Sequence, residues 1–193
     1  MSPPIPRRLL FLLSSSRRDG NAELLARRAA SLVPEQVEQQ WINLSAAGLP
    51  TFVDLRHDSI EAWQPKVDDA AVPLLEATLA ATDIVMVAPV YWYSLPTAAK
   101  LYLDHWTLWL RAPGWDFRAK MAGKRLWAIS VASERDPRFA EPLLHSLQLT
   151  ADYMKMPWGG FLLGFGNRPG DVLEDAQSVE AADRFFCHLN SGG

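Results

Sequence analysis

Two short segments concentrate the side chains that could do chemistry. Ser14-Ser15-Ser16-Arg17-Arg18-Asp19-Gly20-Asn21 sets three hydroxyls, two guanidiniums and an amide between an apolar run and the start of a helical pattern. At such a strand-to-helix turn the backbone N–H groups are free to face a ligand, and the helix dipole favours an anion. Ser15 and Ser16 can donate hydrogen bonds, and Arg17 can add a charge-assisted, bidentate contact. That composition suits a phosphate monoester, although the loop alone reads equally well as an ordinary polar turn with an N-cap. It carries neither G-x-x-x-x-G-K-[ST] nor G-x-G-x-x-G. The second segment, Pro89-Val90-Tyr91-Trp92-Tyr93-Ser94-Leu95-Pro96, places three consecutive aromatics after an apolar strand pattern and before a proline at a helix start. Aromatics left exposed at a strand end are costly unless they cover something flat or meet a partner surface. A planar heterocycle beside Tyr91, Trp92 and Tyr93, with its phosphate at Ser15, Arg17 and Asn21, satisfies both loops together.

These loops meet only if the elements around them bring them together. Apolar runs of strand length occupy 9–13, 37–44, 83–90, 124–132 and 158–165, the second polar enough for a sheet edge. Helical patterns fill 21–31, 70–81, 96–110 and 139–156 between them, and a last helix opens at Asp171. Asn21 is the expected N-cap of the first helix, Pro73 falls in the first turn of the second, and Asp171 with Glu174 forms a capping-box pattern. Strands alternating with helices imply an α/β sandwich around a parallel sheet. In such sheets ligands bind beyond the carboxyl ends of the strands, where the strand order reverses. A third segment, Ser133-Glu134-Arg135-Asp136-Pro137, also lies at such an end.

The first loop resembles the G-S-P-R-x-x-G-N-T phosphate loop of the NADPH-dependent FMN reductases and related multimeric flavodoxin-like proteins. The segment 89–96, followed by Ala99-Lys100 and Asp104, is similar to that family's second flavin loop and its helix. The resemblance implies a flavodoxin-like three-layer sandwich, one domain over 1–193, with a five-stranded parallel sheet of order 2-1-3-4-5. It implies FMN in the crevice between the first and third strands and NADPH or NADH as reductant. The electrons would pass through the flavin to a quinone or similar small acceptor. The site set is then Ser15, Ser16, Arg17, Asn21, Pro89, Val90, Tyr91, Trp92, Tyr93, Ser94 and Ser133, with no protein acid or base required. Arg135, on charge alone, is a candidate for the extra phosphate of NADPH. Three positions depart from the family pattern: Ser14 for the leading glycine, Ala22 for threonine, and a third loop without glycines. The alternative reading is a non-catalytic flavodoxin-like electron carrier, or a degenerate member that has lost FMN.

Composition narrows the field further. The 193 residues carry 19 Lys and Arg against 22 Asp and Glu, a balance that argues against a nucleic-acid footprint. The single cysteine, Cys187, excludes an internal disulfide and multi-cysteine metal sites, reads as a buried filler, and suits a cytoplasmic protein. The apolar run at 9–13 is shorter than a signal peptide requires, and no stretch is long enough to span a membrane. Asp54, His57 and Asp58 are better explained as a polar loop than as metal ligands. The helix at 96–110 is apolar nearly all round, which calls for cover on a second face. A homodimer or homotetramer through 96–118 is the expected source of that cover.

Overall fold

The structure, a computed structural model, describes residues 6–54, 57 and 69–190. Asp58 and most of the expected loop after 54 lie outside the described residues. The first strand, β1 (Arg8–Leu13), shows how its sequence dictates the layers. Leu9, Phe11 and Leu13 project into one hydrophobic core, and Leu10 and Leu12 into another on the opposite face. A strand apolar on both faces needs helices on both sides. They are α1 (Asn21–Ala30) and α7 (Ala176–Phe185) on one face, and α2 (Ala71–Ala80), α3 (Thr97–Trp109) and α5 (Glu141–Met154) on the other. The remaining strands are β2 (Glu38–Asn43), β3 (Asp83–Val87), β4 (Arg125–Ala132) and β5 (Trp158–Phe165). All neighbours are parallel in the order β2-β1-β3-β4-β5, the flavodoxin-like order expected from the sequence. The order reverses between β1 and β3, so the first two loops open side by side. Among the described residues no helix is long and apolar enough to cross a membrane.

Several boundaries differ from the sequence reading for local reasons. The third strand stops at Val87 rather than reaching 90, because Pro89 has no N–H to give to a ladder. Ala88 and Val90 still donate to the carbonyls of Ile129 and Val131, which keeps this segment against β4. The helix expected over 139–156 is divided: Pro137–Ala140 forms a 3-10 turn, and α5 begins beyond it. The short helix α4 (Phe117–Met121) was not anticipated, and the last helix, expected to open at Asp171, is divided into α6 (Asp171–Glu174) and α7. The capping box expected at Asp171 is not formed. Asp175 instead caps α7 by accepting from the Ser178 N–H at 3.1 Å, while Asp171 accepts from the N–H groups of Asn167 and Arg168 at 3.1 and 2.7 Å. Cys187 is exposed in the 3-10 turn Cys187–Asn190, not buried as its residue type suggests.

The opposite end of the sheet is closed by a buried carboxylate. Asp83, 2% exposed, accepts two hydrogen bonds from Arg7 at 2.9 and 3.0 Å, one from the Trp127 indole at 2.9 Å and one from Thr82 at 2.8 Å. The Trp127 ring lies so close over Gly159 that a Cβ there would overlap it. Burial pushes the Asp83 pKa up, but the hydrogen bonds from Arg7, Trp127 and Thr82 and the Arg7 charge outweigh it and hold it below the usual carboxylate range. A depressed folded-state pKa adds stability that is present above the unfolded value, about pH 4, and is lost as pH falls through the folded one. Asp83→Asn is therefore expected to cost about 2–3 kcal/mol at neutral pH. Urea unfolding at pH 7 and at about pH 3 should show that gap narrowing in acid; an equal gap at both would remove Asp83 as a titrating contributor.

Candidate functional site

The first loop begins by turning its leading serine away from the opening. Ser14 is buried, and both its N–H and its hydroxyl donate to the Val87 carbonyl, at 3.0 and 2.9 Å. Its side chain therefore stays against β3 and leaves the loop clear. Ser15 Oγ accepts from the Arg17 N–H at 3.1 Å and shares a 3.3 Å hydrogen bond with the Tyr91 phenol, which ties the first loop to the second. The Arg17 side chain is exposed and makes no ion pair among the described residues.

The start of α1 is open. Its N-cap is Gly20, not Asn21, and no side chain caps it. The first intrahelical bond runs from the Leu24 N–H to the Gly20 carbonyl, so the N–H groups of Asn21, Ala22 and Glu23 have no acceptor within the helix. The missing hydroxyl at Ala22 leaves these backbone donors in place. Asn21 is spent elsewhere. Its amide donates to the Arg168 carbonyl and accepts from the Gly170 N–H, each at 2.9 Å, pinning the loop after β5 against α1. Gly166 makes that approach possible: a Cβ there would stand 2.8 Å from the Val172 nitrogen and 2.9 Å from the Asn21 amide.

The aromatic segment is a tight reversal. Tyr91 and Ser94 exchange backbone hydrogen bonds at 3.2 and 3.1 Å, and the two residues between them are left-handed, Trp92 at φ 49° and Tyr93 at φ 62°. That is a type I′ turn, normally built from Asn-Gly because side chains with a Cβ resist positive φ by roughly 1–2 kcal/mol each. The turn holds Trp92 93% exposed, with Tyr91 and Tyr93 about half exposed. Tyr93 meets Phe139 edge-on at 5.4 Å.

A cleft of about 330 Å³ lies over the strand ends, lined by Ser15, Arg17, Asn21, Pro89, Val90, Tyr91 and Ser133 together with Gly20, Ala22, Val131, Gly166 and Asn167. A smaller one of about 170 Å³ continues from it through Val90 and Ser133, bounded by Trp92, Tyr93, Ala132, Glu134 and Phe139. Nine of the eleven residues singled out in the sequence thus line a connected opening; Ser16 and Ser94 line neither part. The sequence reading missed Gly166, Asn167, Glu134 and Phe139. The first two follow a strand already recognised, so their position at its carboxyl end was the available signal. Arg135 is not a free cation, because it pairs with Asp175 at 2.5 Å; Ser178 and Arg135 together hold that carboxyl below the usual range.

The opening fits a phosphorylated planar ligand, with an uncapped helix start and a free guanidinium at one end and aromatic rings at the other. His105 is buried and bonds the Pro50 carbonyl at 3.0 Å, so it serves packing, and His145 is exposed. Among the described residues no group of His, Cys, Asp and Glu could hold a metal ion. Asn21→Ala removes both amide bonds to the 168–170 loop. The expected outcome is a loss of about 1–2 kcal/mol in urea unfolding of the apo-protein; unchanged stability would show that the clamp contributes nothing without ligand.

Known proteins share this architecture. YwqN of Bacillus subtilis (strain 168), provisionally assigned as an NAD(P)H-dependent FMN-containing oxidoreductase, is 29% identical over 180 residues, covering 93% of this chain and 96% of its own. The solved Trp repressor binding protein from Bacillus subtilis superposes with a TM-score of 0.71 at 25% identity, over 92% of this chain and 96% of that one. An FMN-dependent NADH-azoreductase from Bacillus anthracis str. Ames Ancestor, solved with FMN, shares the fold with a TM-score of 0.60 at 15% identity, over 92% and 98%. The family model for NADPH-dependent FMN reductases matches residues 7–167, from the strand before the open helix to the loop that Asn21 clamps, and the chain belongs to that family.

Proposed function

We propose that electrons from NADPH or NADH leave this FMN oxidoreductase on a quinone or similar small acceptor. FMN as cofactor and a reduced nicotinamide as electron source come with family membership. Bound FMN supplies a ring that accepts a hydride equivalent and passes two electrons on. The residues of this chain hold that ring and shape access to it. The uncapped start of α1, the Ser15 hydroxyl and the exposed Arg17 side chain form the phosphate end. Asn21 positions rather than binds, by fixing the loop after β5. Pro89, Val90, Tyr91 and Ser133 line the cleft beside it, and the 91–94 turn carries Trp92 and Tyr93 over its aromatic end. Ser16 and Ser94 act through their loops' backbones.

The observation that carries this reading is the helix start without a cap, facing a cleft with a free guanidinium. Assembly as a homodimer or homotetramer through 96–118 completes the proposal. A groove between α3 and α5, lined by Leu103, Trp106, Leu110, Leu149 and Tyr153, supports it, with Leu149 69% and Tyr153 61% exposed. A cytoplasmic location accords with a chain that needs no disulfide.

Titration of the apo-protein with FMN, using riboflavin as the phosphate-free control, tests the phosphate end. Arg17→Ala should weaken FMN by about 1.5–3 kcal/mol and leave riboflavin almost untouched; unchanged FMN affinity would take Arg17 out of the site. Trp92→Ala should alter flavin binding or NAD(P)H-dependent quinone turnover with its far-UV spectrum and unfolding midpoint intact. If both functional values stay at wild type, the aromatic turn does not serve the ring.

A further inference from the structure

Another cleft, of about 530 Å³, lies at the opposite end of the sheet from the flavin loops. It forms where α3 ends, around the loop at 110–116, α4 and the residue after α5, beside the amino ends of β4 and β5. Of its lining residues only Leu110 also borders the groove between α3 and α5. Leu110, Pro113 and the buried Phe117 give it apolar walls, and three cations, Arg111, Arg118 and Lys155, stand against a single carboxylate, Asp116. The surplus is local: residues 111–125 hold five cationic side chains and one carboxylate, in a chain whose formal net charge is −3. These cations are not spent on neighbours. The side chains of Arg111 and Lys155 are exposed and make no hydrogen bond or ion pair among the described residues. Arg118 donates one bond to the Tyr153 carbonyl at 3.0 Å and lies 4.3 Å from the centre of the Tyr153 ring. That fixes the guanidinium and leaves most of its N–H donors free. The Gly123 N–H donates to the Lys155 carbonyl at 3.0 Å, which ties the turn after α4 to the end of α5.

A held guanidinium, two free cations and apolar walls, in a volume typical of small-molecule sites, call for an anionic head on an apolar body. We propose that this cleft binds a small anionic amphiphile, a carboxylate or phosphate monoester carried on a hydrocarbon chain. Other occupants match the surface less well. A two-fold contact with a second copy would set these cations against their own counterparts. A membrane is entered by exposed apolar side chains, and no large apolar side chain between 110 and 125 is exposed. A nucleic acid or an acidic protein would meet the cations and leave the apolar walls unused. None of the three cations lines the flavin cleft, so the site stands apart from the choice of electron acceptor.

Calorimetric titration of the full chain with monomeric decanoate and decyl phosphate tests this, with FMN in excess to fill the anion site at the start of α1. Decyltrimethylammonium keeps the chain and reverses the charge, while acetate and inorganic phosphate keep the charge and lose the chain. The wild type should bind the decyl anions at least about tenfold more tightly than any of these three controls. The double variant Arg111→Gln, Lys155→Gln should weaken the decyl anions by about fivefold or more, with FMN affinity and urea midpoint unchanged. Arg118→Gln alone should weaken them by a similar factor. Because these residues lie away from the flavin cleft, the losses locate the site whether or not FMN is bound. Equal affinity for the decyl anions and the decyl cation overturns the proposal, as does anion binding that both variants retain. Inorganic phosphate matching decyl phosphate would remove the apolar half of the site and overturn it too. So would wild-type binding to phosphatidylglycerol vesicles, lost in the variants, without binding of any monomeric amphiphile; the cations would then serve a membrane surface.

Discussion

Backbone donors at a helix start must find an acceptor, and at α1 the chain supplies none within the helix and no side-chain cap. Gly20 has no side chain to offer, Asn21 is turned to the far loop, and Ala22 carries no hydroxyl. The surrounding structure can be understood as holding that unfinished end in place. β1 is buried on both faces and cannot shift, Ser14 is tied to β3, and Arg28 pairs with Asp183 at 2.5 and 2.7 Å to lock α1 against α7. In the function proposed above, the phosphate of FMN is the anion that would complete the helix.

The two ends of the sheet divide their tasks. At the amino ends Asp83 is fully engaged, with its desolvation offset by four hydrogen bonds. At the carboxyl ends the first N–H groups of α1 have no acceptor within the helix, and two bulky residues sit at positive φ. Stability placed at one end allows strain at the other, as expected where a rigid scaffold carries a site on its loops.

Much of this was legible in the sequence. The continuous apolar runs of β1 and β3 gave the parallel sheet, and hydroxyls, arginine and aromatics after them marked the loops that converge. The direction of individual side chains was not legible. Asn21 is a capping type in a capping position, yet a loop 147 residues away takes both of its amide atoms. Asp171 and Glu174 match a capping box, but Gly170 at φ 91° bends the chain so that Asp171 serves the turn before it and Asp175 caps the next helix. Cys187 follows its residue type only until the end of α7 leaves it outside. In each case a contact distant in the chain overrode a local preference. The I′ turn at Trp92 and Tyr93 was hidden for a related reason, since neither residue favours the conformation it adopts.

The outer strand β2 has one further consequence. Its apolar Trp41 stacks on Phe11 at 3.9 Å, and the Arg27 guanidinium lies 3.7 Å from the centre of that indole. Along the same strand Glu38 pairs with Arg8, and Glu38, Gln39 and Gln40 are all exposed. A sheet border with unpaired amides invites strands from other molecules, and charged or polar residues discourage them. With Trp41 covered by a cation and Ile42 packed against the core, this border gives a neighbouring chain little dry surface on which to nucleate. The chain can therefore keep an exposed strand while resisting the edge-to-edge growth that leads to fibrils.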